Sequence, residues 1–301
     1  MNQKTLGDTL VTRFAPSPTG LLHLGHAYSA LFAWRLADSA GGKFHLRIED
    51  IDIGRCRPEF EEAIIEDLRW VGIDWVEPVW RQSQRMHRYG LALAKLDAMG
   101  LVYPCFCTRK DIAAEVSRSG TAPHLAGPGP DGPVYPGICR ALDTETRRAR
   151  IADGEPHALR LDMAAATACA GTLTWHDRTQ GEQTATPETF GDVVLARKDV
   201  ATSYHLAVTV DDAAQGVSLI TRGVDLFAAT DIHRLLQALL DLDVPEWHHI
   251  PLLTNGDGVR LTKRNQASTL RALRESGTEP SEIWAKAIRQ IAQSAVLCDG
   301  K

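Results

Sequence analysis

The 301-residue sequence contains no apolar run that approaches a membrane span. Its start, MNQKTLGDTLVTRF, lacks the basic-then-apolar pattern of a signal peptide, so a cytoplasmic chain with no membrane partner is expected. A surplus of basic charge is also missing: 33 Lys and Arg stand against 38 Asp and Glu, a formal net charge of −5. This excludes a uniformly basic nucleic-acid coat. It leaves room for a local basic groove, because binding depends on where the charges sit. No internal repeat is present. Cysteine is scarce, at six residues, and in a reducing compartment close cysteines read as metal ligands rather than disulfides. The length allows a sizeable core, in one large domain or two modest ones.

What is present alternates strand and helix patterns. LVTRFAPS reads as a short strand ended by proline, and HAYSALFAWRLADSAGG as a helix burying Tyr28, Leu31, Phe32, the Arg35 stem and Leu36, stopped at Gly41-Gly42. KFHLRIED alternates Phe44, Leu46 and Ile48 against His45, Arg47 and Glu49, the period of a strand. PEFEEAIIEDLRWVGIDW and SQRMHRYGLALAKLDAMG read as amphipathic helices. This order predicts an α/β fold with a parallel sheet. From residue 101 the character changes. Cys105, Cys107 and Cys139 flank the Pro/Gly-rich GTAPHLAGPGPDGP, and HALRLDM and GTLTWHD read as short strands of an insertion. The βα pattern resumes with FGDVVLARKD, SYHLAVTVDDA, VSLITRG and the helix DIHRLLQALLDL, followed by a helical tail.

The motif RFAPSPTGLLHLGH places His23 and His26 three apart at a helix start, hence on one face. Gly20 and Gly25 allow close backbone approach, and a helix N-terminus after a parallel strand suits phosphate. PSPTGLLHLGH, Pro16 to His26, resembles the HIGH signature of class I aminoacyl-tRNA synthetases, in the form used by the glutamyl-tRNA synthetase family. RLTKR, Arg260 to Arg264, resembles that family's second signature, KMSKS, with arginine at its first lysine position. The resemblance implies a Rossmann-like parallel-sheet catalytic domain with a zinc-containing insertion and a short helical C-terminal tail. It implies His23, His26 and Lys263 as catalytic, and His23, Gly25, His26 and Lys263 as contacts of ATP, which arrives with Mg²⁺. Adenylate formation, an in-line attack of a carboxylate on the α-phosphorus, needs such positioned donors.

The same resemblance implies L-glutamate contacts at Arg13, Phe14, Ala15, Pro16, Ser17, Glu49, Tyr204 and Arg222. The chemistry is apt: two arginines and one acid mirror the two carboxylates and one ammonium of glutamate. Glu49 ends a strand, where open α/β sheets place their sites, whereas Asp50 and Asp52 read as solvated charges. Zinc wants four ligands; three thiols leave one place, which ordinary zinc chemistry would give to His124. The family pattern Cys-x-Cys…Tyr-x₃-Cys implies instead Cys105, Cys107, Tyr135 and Cys139 around one structural Zn²⁺. The expected division is 8–100 and 189–250 for the two halves of the catalytic domain, 101–188 for the insertion, and 251–301 for the signature loop and tail. No anticodon-binding domain is expected, which resembles the glutamyl-queuosine tRNA(Asp) synthetases. These paralogues activate glutamate without tRNA and esterify it to queuosine at the wobble position of tRNA(Asp). The alternatives are a minimal synthetase charging a terminal ribose, a non-catalytic tRNA-binding relic, and a small-molecule nucleotidylyltransferase.

Overall fold

The computed structural model describes residues 9–119, 128–130, 132–252 and 269–288. Strand β1 (Val11–Phe14) leads into α1 (Leu24–Ser39) and back to β2 (Lys43–Ile48), which pairs parallel to β1 with Arg13 opposite His45. Helix α1 buries Tyr28, Leu31 and Phe32 as its spacing predicts, and Ala27, Ala30 and Ala33 besides. The alanines bring the helix close to the strands, so the buried face is wide and Arg35 stays exposed rather than laying its stem inward. Gly41 takes a left-handed φ of +60°, and the Gly42 N–H returns to the Ala37 carbonyl at 2.8 Å. At Gly42 a Cβ would overlap the carbonyl oxygen of Leu10, so only glycine fits.

Helix α2 (Pro58–Trp70) opens with proline at its first turn, β3 (Trp80–Arg81) adds parallel to β2, and α3 (Met86–Ala98) follows. Then come β4 (Val102–Cys105), α4 (Arg109–Ser119), the short ribbon β5 (Pro128–Gly129) and β6 (Gly132–Pro133), α5 (Thr144–Ala152), β7 (Ala158–Leu161) and α6 (Met163–Ala170). Next are β8 (Thr174–Asp177), β9 (Gly181–Thr184) and β10 (Val194–Ala196). Strands β10, β7 and β4 form an antiparallel sheet of their own.

Helix α7 (Tyr204–Ala214), β11 (Leu219–Gly223), α8 (Ala229–Leu240) and β12 (Glu246–Ile250) restore the parallel pattern, with β11 and β12 in register. Strand β8 joins β12 in parallel, and β9 hairpins onto β8. Thus GTLTWHD, expected within the insertion, extends the sheet of β11 and β12. The Ser218 N–H donates to the Val11 carbonyl at 3.0 Å, so β1 and β11 run away from one joint and place their carboxyl ends on the same side. One apolar core packs α1 and α2 on β1 and β2; a second packs α3, α6, α7 and α8. Helix α9 (Leu270–Glu275) and a helical stretch at 280–288 close against α1 and α2, through Leu270 and Ile283. Among the described residues no helix is long and apolar enough to cross a membrane.

Candidate active site

His23 is the N-cap of α1, in extended conformation. Its Nδ1 accepts the Gly25 N–H at 3.1 Å, while His26 Nδ1 accepts the His23 N–H at 3.2 Å. Two histidines thus build a capping box, and their rings stack with centroids 3.8 Å apart. With each Nδ1 an acceptor, the neutral rings carry their protons on Nε2. The pair brings N–H donors to a helix N-terminus, where backbone amides and the helix dipole favour an anion. A Cβ at Gly25 would lie 2.9 Å from His23 Cε1, so a larger residue there would displace the His23 ring. Thr269 bridges to His23, and the Leu270 N–H donates to the Leu22 carbonyl at 2.8 Å. The chain therefore stands beside His23 directly after residue 268. Lys263 and the whole stretch Arg260 to Arg264 lie outside the described residues.

The carboxyl ends of β1 and β2 carry a buried charge cluster. Arg13 gives Nε and Nη2 to the two oxygens of Asp212, at 3.0 and 3.3 Å, and Nη1 to the Thr221 carbonyl. Arg47 gives Nη1 to Asp212 and to Gln215, both at 2.8 Å, and Nη2 to Glu49 at 3.2 Å. Asp211 accepts from Arg85 and Tyr89, each at 2.7 Å. Burial works against the Arg47 charge, but Asp212, Glu49 and Asp211 outweigh it and raise its pKa. Burial pushes the Glu49 carboxyl up, against Arg47 and Arg13, so a cation brought to Glu49 would draw it back down. Burial also opposes the Asp212 charge, yet Arg13 and Arg47 hold it below the ordinary range. Arg47 is fully buried although it sits on the polar phase of the β2 alternation, because a parallel sheet is covered on both faces. Asp50 is not a free surface charge: it accepts from the backbone and hydroxyl of Ser83. Asp52 pairs with Arg55 at 2.7 Å, near the surface as expected.

The Glu49 N–H donates to the Pro16 carbonyl at 3.0 Å, which fastens the segment Phe14, Ala15, Pro16, Ser17 alongside Glu49. Phe14 and Pro16 are buried, Ala15 half-buried and Ser17 exposed. Ser17, Glu49 and Tyr204 line one cavity of about 220 Å³, with Asp52, Arg55 and Arg197 also on its wall.

Arg222, near the end of β11, is held differently from Arg13 and Arg47. Its Nε donates to His249 Nε2 at 3.1 Å, Nη1 to His233 Nδ1 at 3.0 Å and Nη2 to Thr230 Oγ1 at 2.6 Å. The Tyr204 hydroxyl is a further hydrogen-bond partner, and the Tyr204 ring meets His233 edge-on. Burial, chiefly, and the neighbouring Arg13 lower the Arg222 pKa, without bringing it near neutrality. Among Arg13, Arg47, Arg85 and Arg222, only Arg222 makes no ion pair with a carboxylate among the described residues.

The catalytic-domain family of class I tRNA synthetases (E and Q) matches residues 9–295. The chain belongs to this class I synthetase family. It is accordingly an ATP-dependent ligase. The synthetase is 49% identical over 280 residues to a Glutamyl-Q tRNA(Asp) synthetase from Rhodobacter capsulatus, covering 91% of this chain and 98% of that protein. It is 38% identical to a glutamate–tRNA ligase from Aquifex aeolicus, covering 91% of this chain but 55% of that protein. Its fold is similar to the crystal structure of a glutamate tRNA ligase from Elizabethkingia meningosepticum in complex with its amino acid. That likeness has a TM-score of 0.71 at 28% identity, over 85% of this chain and 52% of the other.

The synthetase also brings its clustered cysteines together. Cys105 ends β4; Cys105, Cys107 and Cys139 hold their sulfur atoms within 4.8 Å of one another, so the cluster could hold a metal ion. The Tyr135 hydroxyl lies 3.4 Å from Cys105 Sγ and 3.6 Å from Cys107 Sγ, and accepts the Cys139 N–H at 2.8 Å. These four atoms suit a small tetrahedral cation. Burial pushes the Cys107 thiol up to about 12, so ionising that thiol calls for such a cation. His124 lies outside the described residues.

The sequence reading misses the partners that hold the expected site residues: Arg47, Asp211, Asp212, Asp177, His233 and His249. A signal existed for one group. Tyr204, Asp211, Asp212 and Gln215 share one face of α7, at helical spacing across an otherwise apolar run. The Asp177–His249 pair had none, since 72 residues separate its members.

Proposed function

We propose that this synthetase activates L-glutamate with ATP in the absence of tRNA and transfers the glutamyl group to queuosine at the wobble position of tRNA(Asp). The observation that carries the amino-acid half is Arg222. It is a buried guanidinium on neutral acceptors, with no carboxylate partner among the described residues, and it bonds Tyr204, which lines one cavity with Glu49. A substrate carboxylate pairs with Arg222, and the substrate ammonium with Glu49. Arg13, Phe14, Ala15, Pro16 and Ser17 form the adjoining wall, with Arg13 kept in place by Asp212. A carboxylate oxygen of glutamate attacks the α-phosphorus of ATP, and pyrophosphate leaves. The Nε2–H groups of His23 and His26, the backbone at Gly25 and the ammonium of Lys263 stabilise the charge that builds on the phosphates. An acceptor hydroxyl then attacks the adenylate carbonyl carbon, an ester forms and AMP leaves.

Queuosine as acceptor is supported by relatives of that printed activity at 49% and 45% identity, matched over 98% and 84% of their own lengths. One structural Zn²⁺ would sit among Cys105, Cys107, Tyr135 and Cys139, within an insertion that begins near residue 101 and ends before β8 rejoins the sheet of β11 and β12. A tRNA substrate and reduced thiols fit the cytoplasm. The test is ATP–pyrophosphate exchange without tRNA. Exchange that depends on L-glutamate is expected; its absence at saturating glutamate and ATP would favour a non-catalytic relic.

A further inference from the structure

Arg222 is conspicuous for what surrounds it. A buried cation usually rests on a carboxylate, as Arg13 and Arg47 do here. Arg222 rests on two imidazoles and on the hydroxyls of Thr230 and Tyr204. The state of both imidazoles follows from geometry. Asp177 Oδ2 stands 2.7 Å from His249 Nδ1, which fixes the proton there and turns the Nε2 lone pair to Arg222. Asp177 stays ionised because hydrogen bonds from His249 and from Thr179 outweigh its burial. The His249 ring is packed between Trp175, at 5.9 Å, and Phe227, at 4.9 Å. His233 Nδ1 must also be an acceptor, since a guanidinium only donates. Its proton is therefore on Nε2, directed at His205 Nδ1 at 3.2 Å. His233 is almost wholly buried, and both burial and the adjacent Arg222 keep it neutral.

We infer that His233 and His249 are positioning residues that orient Arg222 through uncharged acceptors, so that its whole charge remains for a carboxylate of the amino acid. The seat thereby selects an acid over its amide. A carboxylate at either position would orient Arg222 equally well but would neutralise it. This inference rests on the reading of Arg222 as a glutamate contact, and concerns what makes that contact selective.

The experiment compares His233→Gln with His233→Glu, using amino-acid-dependent ATP–pyrophosphate exchange with glutamate and with glutamine. His233→Gln retains a neutral acceptor and is expected to raise KM for glutamate only about threefold. His233→Glu is expected to raise it roughly 100-fold, with KM for ATP nearly unchanged, and to collapse the preference for glutamate over glutamine. Equal effects of the two substitutions would overturn the inference. If His233→Glu does not fold, ¹⁵N NMR of the histidine rings in the whole wild-type protein at pH 7 decides. Neutral His249 protonated on Nδ1 and neutral His233 protonated on Nε2 are expected; a cationic ring or the opposite tautomer on either would overturn it. Wild-type exchange with no amino acid at all would instead defeat the glutamate reading, and leave the NMR result standing.

Discussion

At the scale of residues, His23 and His26 are caps of α1 and the proposed contacts of the phosphates. Each uses Nδ1 on a backbone N–H, which sets the ring orientation at the start of α1. His26→Ala is expected to slow glutamate-dependent exchange about 100-fold, the cost of one well-placed donor. It should also lower stability by on the order of 1 kcal/mol through loss of the cap. Exchange kinetics together with a urea melt separate the two effects. Arg222→Ala should raise KM for glutamate far more than KM for ATP, and equal rises would remove its assignment. The buried histidines set the acid limit of the fold. Burial lowers the pKa of His233, His248 and His249 below the ordinary 6.5, so each stays neutral in the folded chain while its unfolded counterpart protonates. Stability is therefore complete above about 6.5 and falls as the pH drops below it, which urea midpoints between pH 7.5 and 5.5 would register. Arg13, Glu49, Tyr204 and Arg222 stand out in the sequence because they fall in recognisable motifs, and the fold brings Tyr204 to both Glu49 and Arg222. Their holders do not stand out, because a buried aspartate reads in sequence like a solvated one.

At the scale of elements, glycine positions and the cysteine cluster govern local order. Gly42 lets α1 turn into β2 under the Leu10 carbonyl, so Gly42→Ala should destabilise the protein by on the order of 3 kcal/mol, measurable as a fall in the urea midpoint. The segment around Cys105, Cys107, Tyr135 and Cys139 has only a small apolar cluster of its own. The purified protein should hold one zinc per chain by metal analysis, and chelation should open 101–140 to protease; a zinc-free, protease-resistant protein would refute this reading. Strand β2 and helix α1 were legible from periodicity. Strand β12 was not: EWHHI sets two adjacent histidines between Trp247 and Ile250, which breaks the strand alternation, and its partner β8 is far away in sequence. Helices α4, α5 and α6 were hidden in a stretch that reads as loop and short strand, where polar composition and alanine mask any apolar face.

At the scale of the whole molecule, the parallel strands β1, β2, β11 and β12 carry the proposed amino-acid pocket at their carboxyl ends, and α1 sets the proposed phosphate-binding end beside it. The α/β class followed from the alternation of patterns, but the edge-to-edge meeting of β1 and β11 rests on contacts some 207 residues apart, such as the Ser218 hydroxyl with Val11. The chain spans most of the length of its Glutamyl-Q tRNA(Asp) synthetase relatives and about half that of the glutamate–tRNA ligases it matches. The most direct test of the proposed activity is transfer of labelled glutamate, with ATP, to purified tRNA(Asp) that carries or lacks queuosine. An alkali-labile glutamyl ester on the queuosine-containing tRNA(Asp) alone is the predicted result. Label on queuosine-free tRNA(Glu), at its terminal ribose, would contradict it.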